Sequence, residues 1–562
     1  MDIGQEELAL PRLRHWETTR PDAICMTQPM GDGSLRDYTW SQAVGEARRM
    51  AAWLRAQGYP EGSNIAIISK NCAHWMMCDW AIWMAGYVSV PLYPTLTADS
   101  VRKILEHSES RAAFIGKLDD WDTMKDGVPD EVQCIGFPLS PPNDFPTWET
   151  VVAEQEPLTE LPERRAEDLA TIIYTSGTTG MPKGVMHSFG AMAWAIASGN
   201  KRFRMGADDR VLSYLPLSHI AERIAVELGM LNCGMRTYFA DSLDTFLQDL
   251  QRARPTFFFS VPRLWVKFKQ GVNAKMPDEK LDRLLKIPIL SGIVRRKILK
   301  GLGLDRIRFA GGGAAPMPPS VMYWYQKLGL EIIEVYGMTE NLAISHSNLP
   351  GLTRPGFVGY PYEGVECRLA EDGEVQMRSP AVMMGYYKEP EKTREAITED
   401  GWLRTGDRGE HDSEGRLRIT GRVKDIFKSS KGKYIAPAPI EDKLVTHGAV
   451  EACCVAGADR PQPFAILMLS PEALERCRDD SARRELMADL AEYRETVNAQ
   501  LDQHEQLEFL AVVEDQWTTE SGFVTPTMKV KRNVVEDHYF GFVPEWAARR
   551  EPVVWVAASG AA

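Results

Sequence analysis

Residues 171–188, TIIYTSGTTGMPKGVMHS, constrain this chain more than any other segment, because they set hydroxyls, glycines and one lysine between an apolar strand at 169–174 and a helix. Gly177, Gly180 and Gly184 admit backbone conformations closed to other residues, so several N–H groups can converge on anionic oxygens. Ser176, Thr178 and Thr179 add hydroxyl donors, and Lys183 adds a mobile positive charge. This is the chemistry of a loop that holds a polyphosphate. Gly/Ser/Thr clusters are usually plain surface turns, but the buried strand ahead of this one and Pro182 followed by Lys183 argue against a simple linker. The spacing also fails the pattern G-x-x-x-x-G-K-[ST], since Gly184 follows Lys183, which disfavours a P-loop motor or GTPase.

The core SGTTGMPKG resembles the phosphate loop of the adenylate-forming superfamily, which includes acyl-CoA synthetases, luciferases and peptide-synthetase adenylation domains. The resemblance implies that Thr175, Ser176, Gly177, Thr178, Thr179, Gly180 and Lys183 bind ATP. Four further elements follow in the family's order. In RFAGGGAAP, 308–316, an apolar strand ends in three glycines, and residues without side chains let a flat ring lie against backbone. VYGMTEN follows at 335–341. By resemblance, Gly312, Gly313, Ala314 and Tyr336 enclose adenine, Gly337 belongs to the same ATP/AMP site, Thr339 lies by the phosphates, and Glu340 with Thr179 ligates Mg2+, for which a carboxylate is a suitable hard ligand. In GWLRTGDRG (401–409) and TGRVKD (420–425), Asp407 and Arg422 match the family's ribose contacts. Taken alone, an Asp in a Gly-flanked turn is more often a turn former.

TPTMKVKR, 525–532, aligns Lys529 with the lysine that reaches the substrate carboxylate and α-phosphate during adenylation, where a fixed charge acts mostly on the transition state. Many members carry S-G-K here. This chain has T-M-K, and Lys531 stands nearby as a competitor.

At 562 residues the chain is too long for one ordinary core and suits a multi-lobed enzyme. A net charge of -13 argues against a nucleic-acid binder and requires local positive sites for anionic substrates. The nine cysteines form no C-x-x-C pair, which fits reduced thiols in the cytoplasm. No secretory signal opens the chain, and the apolar stretch 74–94 reads as a buried helix followed by a strand, since Asp79, Gly86 and Pro91 interrupt it.

Short Val/Ile-rich runs alternate with helical patterns, which predicts an α/β fold: a large N-terminal domain of mixed, mostly parallel sheets flanked by helices, 1–422, with a β-rich subdomain from Gly373 to Arg422. A small mobile α+β lid follows at 423–562. In the lid, Leu486, Leu490, Tyr493, Val497 and Leu501 line one apolar helical face that reads as core.

The resemblance implies two half-reactions. A carboxylate attacks the α-phosphorus of MgATP to give an acyl-adenylate and pyrophosphate, and a thiol such as that of CoA then opens the mixed anhydride. One lid rotation about Lys424 serves both halves, withdrawing Lys529 and presenting FKSSKGKYIAP, 427–437, with Lys428, Lys431 and Gly432 toward the thiol arm. LPLSHIAER, 215–223, with KGKYIAPAPIE, 431–441, looks like the long-chain fatty acyl-CoA synthetase branch, where His219 matches a position beside the acyl carboxylate. The alternatives are transfer of the acyl group to a carrier protein or another acceptor, or an inactive fatty-acid or nucleotide sensor. Residues 275–300 carry eight Lys/Arg against three acids, interleaved with leucines and isoleucines. That pattern suits a peripheral contact with an anionic membrane and equally suits a solvated helical hairpin. The oligomeric state stays open.

Overall fold

The structure, a computed structural model, describes residues 3–175, 182–525 and 528–557. The chain divides into two compact units: Met1–Ala315, Pro319–Arg368 and Gln376–Arg404 form one, and Pro316–Pro318, Leu369–Val375 and Thr405–Ala562 form the other.

The larger unit is α/β. Its main sheet runs in the order Gly385–Tyr386, Lys183–Ser188, Leu169–Thr175, Val88–Leu92, Asn64–Ile68, Ala112–Ile115, Gln133–Gly136. The last five are parallel to one another; Lys183–Ser188 runs antiparallel to them, and Gly385–Tyr386 pairs antiparallel to Lys183–Ser188 at the edge. The three central parallel strands, Val88–Leu92, Asn64–Ile68 and Ala112–Ile115, are buried throughout, which is why they read as continuous Val/Ile/Ala runs instead of alternating ones. A second sheet pairs Phe257–Ser260, Phe309–Gly312 and Ile332–Tyr336 in parallel, and a third brings Arg210–Ser213 beside Arg236–Phe239 and Ile24–Pro29.

The helix Ala73–Ala85 is buried at every residue, including Trp75, Trp80 and Trp83, and stops at Gly86, whose φ of 92° closes the left-handed cap. Together with Val88–Leu92 it accounts for the apolar stretch 74–94, and no helix among the described residues is long and apolar enough to cross a membrane.

One local expectation is corrected. Residues 183–188 form a strand antiparallel to Leu169–Thr175, so the glycine-rich loop closes a hairpin and does not lead directly into a helix. Val185 and His187 face inward with the alternation of a strand, and the helix begins only at Phe189, where Ser188 Oγ accepts from Ala191 N at 3.2 Å.

The smaller unit is α+β. Val450–Ala456, Phe464–Leu469, Leu510–Val513 and Val553–Val556 form its sheet, and the helix Asp480–Asn498 packs Leu490 and Val497 into its core. Leu501 reaches the same core from the turn beyond the helix end, not from the helix itself. All nine cysteines are free thiols and seven are buried.

Candidate active site

In the larger unit, the strand that leads into the glycine-rich loop is fixed from two sides. Trp83 Nε1 donates to Ala170 O at 3.0 Å, and Arg223 donates to Thr171 Oγ1 at 2.7 Å. Arg223 is itself buried with Asp79 and Glu227, bonding both carboxylates and Ser89 Oγ, so its charge is neutralised inside the core. Across the hairpin Thr175 opposes Lys183 and Tyr174 opposes Gly184. Ser176, Gly177, Thr178, Thr179 and Gly180 lie outside the described residues. Gly184 is an extended strand residue. Glycine is required there for space and not for a special φ, since a Cβ would come within 2.8 Å of Ile172 Cγ2.

Beyond the loop, three segments meet on one side chain. Tyr386, buried with Val185, Met383 and Leu403, donates its hydroxyl to Glu340 Oε1 at 2.8 Å, and Lys183 Nζ lies 4.9 Å from its ring centroid. Burial and the Glu340 carboxylate push the Tyr386 phenol far above its usual range, so the hydroxyl stays a donor. Met383 N donates to Glu340 O at 2.8 Å. Burial also lowers the pKa of His187 to about 3, and the neutral ring donates from Nε2 to Thr339 O at 2.8 Å. Gly337 must be glycine, because a Cβ would sit 2.6 Å from Ala343 Cα.

Phe309–Gly312 and Ile332–Tyr336 are parallel neighbours in register Gly312 to Glu334, which sets Gly312, Gly313 and Ala314 beside Tyr336 and Gly337 at the carboxyl ends of adjacent strands. Ligands of open α/β sheets bind at such ends. Gly313 is packed against its own sheet, a Cβ there meeting Val335 O at 2.8 Å, whereas the exposed Ala314 holds the left-handed conformation at φ 65°.

His219 opens the short helix Ile220–Glu222, its Nδ1 accepting from Ala221 N at 3.2 Å. Its loop is pinned by Asn71, which accepts from Leu217 N at 2.9 Å and donates to Leu215 O at 2.6 Å. Glu222 completes the clamp, accepting from Ser213 Oγ and Tyr214 N, each at 2.9 Å. Burial raises the Glu222 pKa to about 8 against the opposing effect of those two hydrogen bonds.

In the smaller unit, Asp407 and Arg422 oppose each other on the hairpin Leu403–His411/Leu417–Arg422, with Nε to Oδ1 at 3.0 Å. Val423 N returns to Gly406 O at 2.9 Å just ahead of Lys424. Phe427–Lys428 and Tyr434–Ile435 form a second hairpin, with the exposed Lys431 and Gly432 in its turn; Gly432 has φ 76°, and Lys428 Nζ lies 5.2 Å from the Tyr434 ring.

Lys529 is tied to Thr525 by two bonds: Thr525 N donates to its carbonyl at 2.8 Å, and its own N–H donates to Thr525 Oγ1 at 3.1 Å. Met528, where many relatives of the resembled family have glycine, takes φ 61°. Lys529 is exposed, whereas Lys531 is half-buried at the start of the helix Arg532–Tyr539. Arg532 binds Glu441 Oε1 and Oε2 at 2.7 and 2.9 Å and anchors the turn to the unit's sheet through Val455 O at 2.6 Å.

No group of three or more His, Cys, Asp or Glu among the described residues gathers to hold a metal by itself. Mg2+ is commonly bound by one or two carboxylates with the rest of its shell from phosphates and water. Glu340 offers one such carboxylate with one oxygen already fixed by Tyr386, so the residues present fit that ion. Tyr386, His187 and Asn71 escape sequence reasoning because each acts through a partner distant in the chain, and Glu222 because its partners Ser213 and Tyr214 lie across a loop. The only local hints are the Tyr386–Tyr387 pair after a glycine and the acid following His219.

The family described as AMP-binding enzyme matches residues 13–387, and that described as AMP-binding enzyme C-terminal domain matches 424–545. Similar proteins include the peroxisomal long chain acyl-CoA synthetase 7 of Arabidopsis thaliana, 30% identical over 92% of this chain and 83% of that one. Long-chain-fatty-acid–CoA ligase FadD15 of Mycobacterium bovis is 29% identical over 96% of both chains. Among solved structures, the anthranilate CoA ligase AuaEII in complex with anthranoyl-AMP shares the fold at a TM-score of 0.78 and 21% identity, covering 96% of this chain and 100% of that one.

Proposed function

The chain belongs to the AMP-binding enzyme family, and from that premise we propose that it is a long-chain-fatty-acid–CoA ligase that forms an acyl-adenylate from ATP and then an acyl-CoA, releasing pyrophosphate and AMP. The observation that carries this reading is similarity across 92% and 96% of the chain to two proteins named for that activity.

The loop at 175–180 and Lys183 hold the β- and γ-phosphates, Gly312–Gly313–Ala314 and Tyr336–Gly337 enclose adenine, and Asp407 and Arg422 hold the ribose. Glu340 and Thr179 would hold Mg2+, which offsets triphosphate charge when bound. Thr339 lies by the phosphates, and the His187 bond to its carbonyl fixes the backbone there. Lys529 stabilises the charge that develops as the fatty-acid carboxylate attacks the α-phosphorus and pyrophosphate leaves. His219 lies beside the acyl carboxylate, on a loop that Asn71 and Glu222 keep rigid. For the second half-reaction the domain 423–562 turns about Lys424, and Lys428, Lys431 and Gly432 face the thiol arm of CoA. A C-terminal family match that begins at residue 424 supports that boundary.

The enzyme is proposed to be cytoplasmic and to touch membranes peripherally. What supports the contact is the segment of the helices Asp278–Leu285 and Pro288–Gly301, in which Leu281 is buried while Ile289 and Ile293 are 80% and 58% exposed beside Arg295, Arg296 and Lys297.

A screen of pyrophosphate release over carboxylic acids of graded length, with and without CoA, tests the reading. Long-chain acids should be preferred and should yield acyl-CoA and AMP only with CoA. Equal rates with acetate or benzoate would remove the substrate assignment, and acyl-adenylate accumulating unchanged in the presence of CoA would favour another acceptor.

A further inference from the structure

Tyr386 is the meeting point of two groups expected to act on the same triphosphate. Its hydroxyl fixes Glu340 Oε1 at 2.8 Å, and its ring lies 4.9 Å from Lys183 Nζ. The placement of the ring is built in from several directions. Tyr386 opposes Val185, two residues after Lys183, and Tyr387 N donates to Gly184 O at 2.7 Å. Tyr386 N donates to Thr393 Oγ1 at 2.9 Å. Gly385 admits that approach because it has φ 140° and no side chain, a Cβ there coming within 2.9 Å of Thr393 Cγ2. The side chain is 6% exposed, so the hydroxyl bond to Glu340 is shielded from competing water.

We propose that Tyr386 is a positioning residue for MgATP that couples the phosphate-loop lysine to the metal-binding carboxylate. This rests on the reading of Lys183 and Glu340 given above. With Oε1 tied to the phenol, Glu340 presents its carboxylate in a single orientation, with Oε2 toward a cation. The same ring holds the Lys183 ammonium by its electron-rich face, without cancelling the charge as a carboxylate would. A triphosphate and its cation therefore find the carboxylate and the lysine already placed against one side chain.

The test measures binding and not only turnover. A non-hydrolysable ATP analogue is titrated calorimetrically into the full-length protein, in EDTA and over a Mg2+ series, with wild type, Tyr386→Phe, Tyr386→Leu, Glu340→Gln and the Tyr386→Phe/Glu340→Gln double variant. Tyr386→Phe keeps the ring and should leave metal-free nucleotide affinity within about twofold. It should raise the Mg2+ concentration for half-maximal enhancement by about tenfold or more, the size of one hydrogen bond to a charged group. Tyr386→Leu should also lose several-fold in metal-free affinity.

In the Glu340→Gln background, the Tyr386→Phe change should have no further effect on the Mg2+ dependence. An unchanged Mg2+ midpoint in Tyr386→Phe, or an equal effect with and without Glu340, overturns the proposal. An unchanged Mg2+ midpoint in Glu340→Gln instead overturns the assignment of Glu340 to the metal, so the two failures are distinct. Thermal unfolding of each variant separates a folding defect, which lowers the midpoint without moving the Mg2+ dependence. Tyr386→Phe, which removes a single oxygen atom, remains the deciding variant if Tyr386→Leu does not fold.

Discussion

Arg422 Nε lies 3.0 Å from Asp407 Oδ1, at directly opposed positions of one antiparallel hairpin. The pair is held in register by the backbone, so each side chain fixes the other's rotamer on the face expected to meet a ribose. Asp407→Ala should raise the KM for ATP about tenfold or more, which corresponds to ~1.4 kcal/mol of lost binding. Arg422→Ala should raise it less, because an exposed guanidinium is easily replaced by water. Pyrophosphate–ATP exchange reads both, and a fall in unfolding temperature without a change in KM would reduce the pair to a hairpin staple.

Lys529→Ala should lower adenylation about a hundredfold or more, the scale of removing one charge-stabilising group from a transition state. Attack of CoA on supplied acyl-adenylate should be nearly unaffected. Equal loss in both half-reactions would contradict a mechanism in which Lys529 leaves before the thiol arrives.

Met528 holds φ 61° in the turn before Lys529, a conformation that costs an ordinary L-residue ~1 kcal/mol. Met528→Gly relieves that strain while adding freedom to the unfolded chain, so stability should change little. Met528→Val should cost more than ~1 kcal/mol and depress adenylation selectively, because a β-branched residue resists this region. Urea unfolding and exchange assays on the two variants measure it, and an active, stable Val variant would show that the turn is not held to this geometry.

Burial raises the Glu222 pKa to about 8 from the ordinary glutamate value of 4.5. Between those values the folded protein keeps a proton that the unfolded chain has lost, so the group makes stability decline as pH rises from 4.5 to 8 and level off above. Glu222→Gln retains the acceptor for Tyr214 N and should flatten that decline. Unfolding midpoints across this range decide it, and parallel curves for the two proteins would count against a protonated Glu222.

Vesicles containing phosphatidylglycerol should bind the protein, and replacing Arg295, Arg296 and Lys297 with serine should weaken binding about fivefold per charge. Ile289→Asp with Ile293→Asp should weaken it on neutral and anionic vesicles alike. Binding unchanged by either set removes this hairpin from the membrane contact.

The signals that survive in sequence are those in which neighbouring residues share a task. The glycine-rich loop, the three glycines after Ala310, YGMTE, the Asp407 turn and TMK are legible because each is a contiguous stretch with chemistry of its own. The strand at 183–188 was hidden because it is short and runs straight into a helix cap, so its periodicity merges with that of the helix. Gly184 illustrates a second limit: its glycine reads as conformational freedom, yet its reason is the Ile172 side chain on the neighbouring strand. Tyr386 illustrates a third. It lies 46 residues from Glu340 and looks like one aromatic among many until the fold sets its hydroxyl on that carboxylate. Arg223 stands in a legible motif with Glu227 four residues on, but its pairing with Asp79 depends on a helix whose sequence shows only a lone acid amid tryptophans.

The buried thiols equip the protein with two internal clocks. Burial raises the pKa of Cys78 in the larger unit and of Cys453 in the smaller one well above that of a free thiol, so neither presents the thiolate that alkylating reagents attack. Modification at each therefore waits for its own unit to open. The rates at which the two cysteines acquire a mass label report the opening of each unit separately, from one untagged chain in one tube.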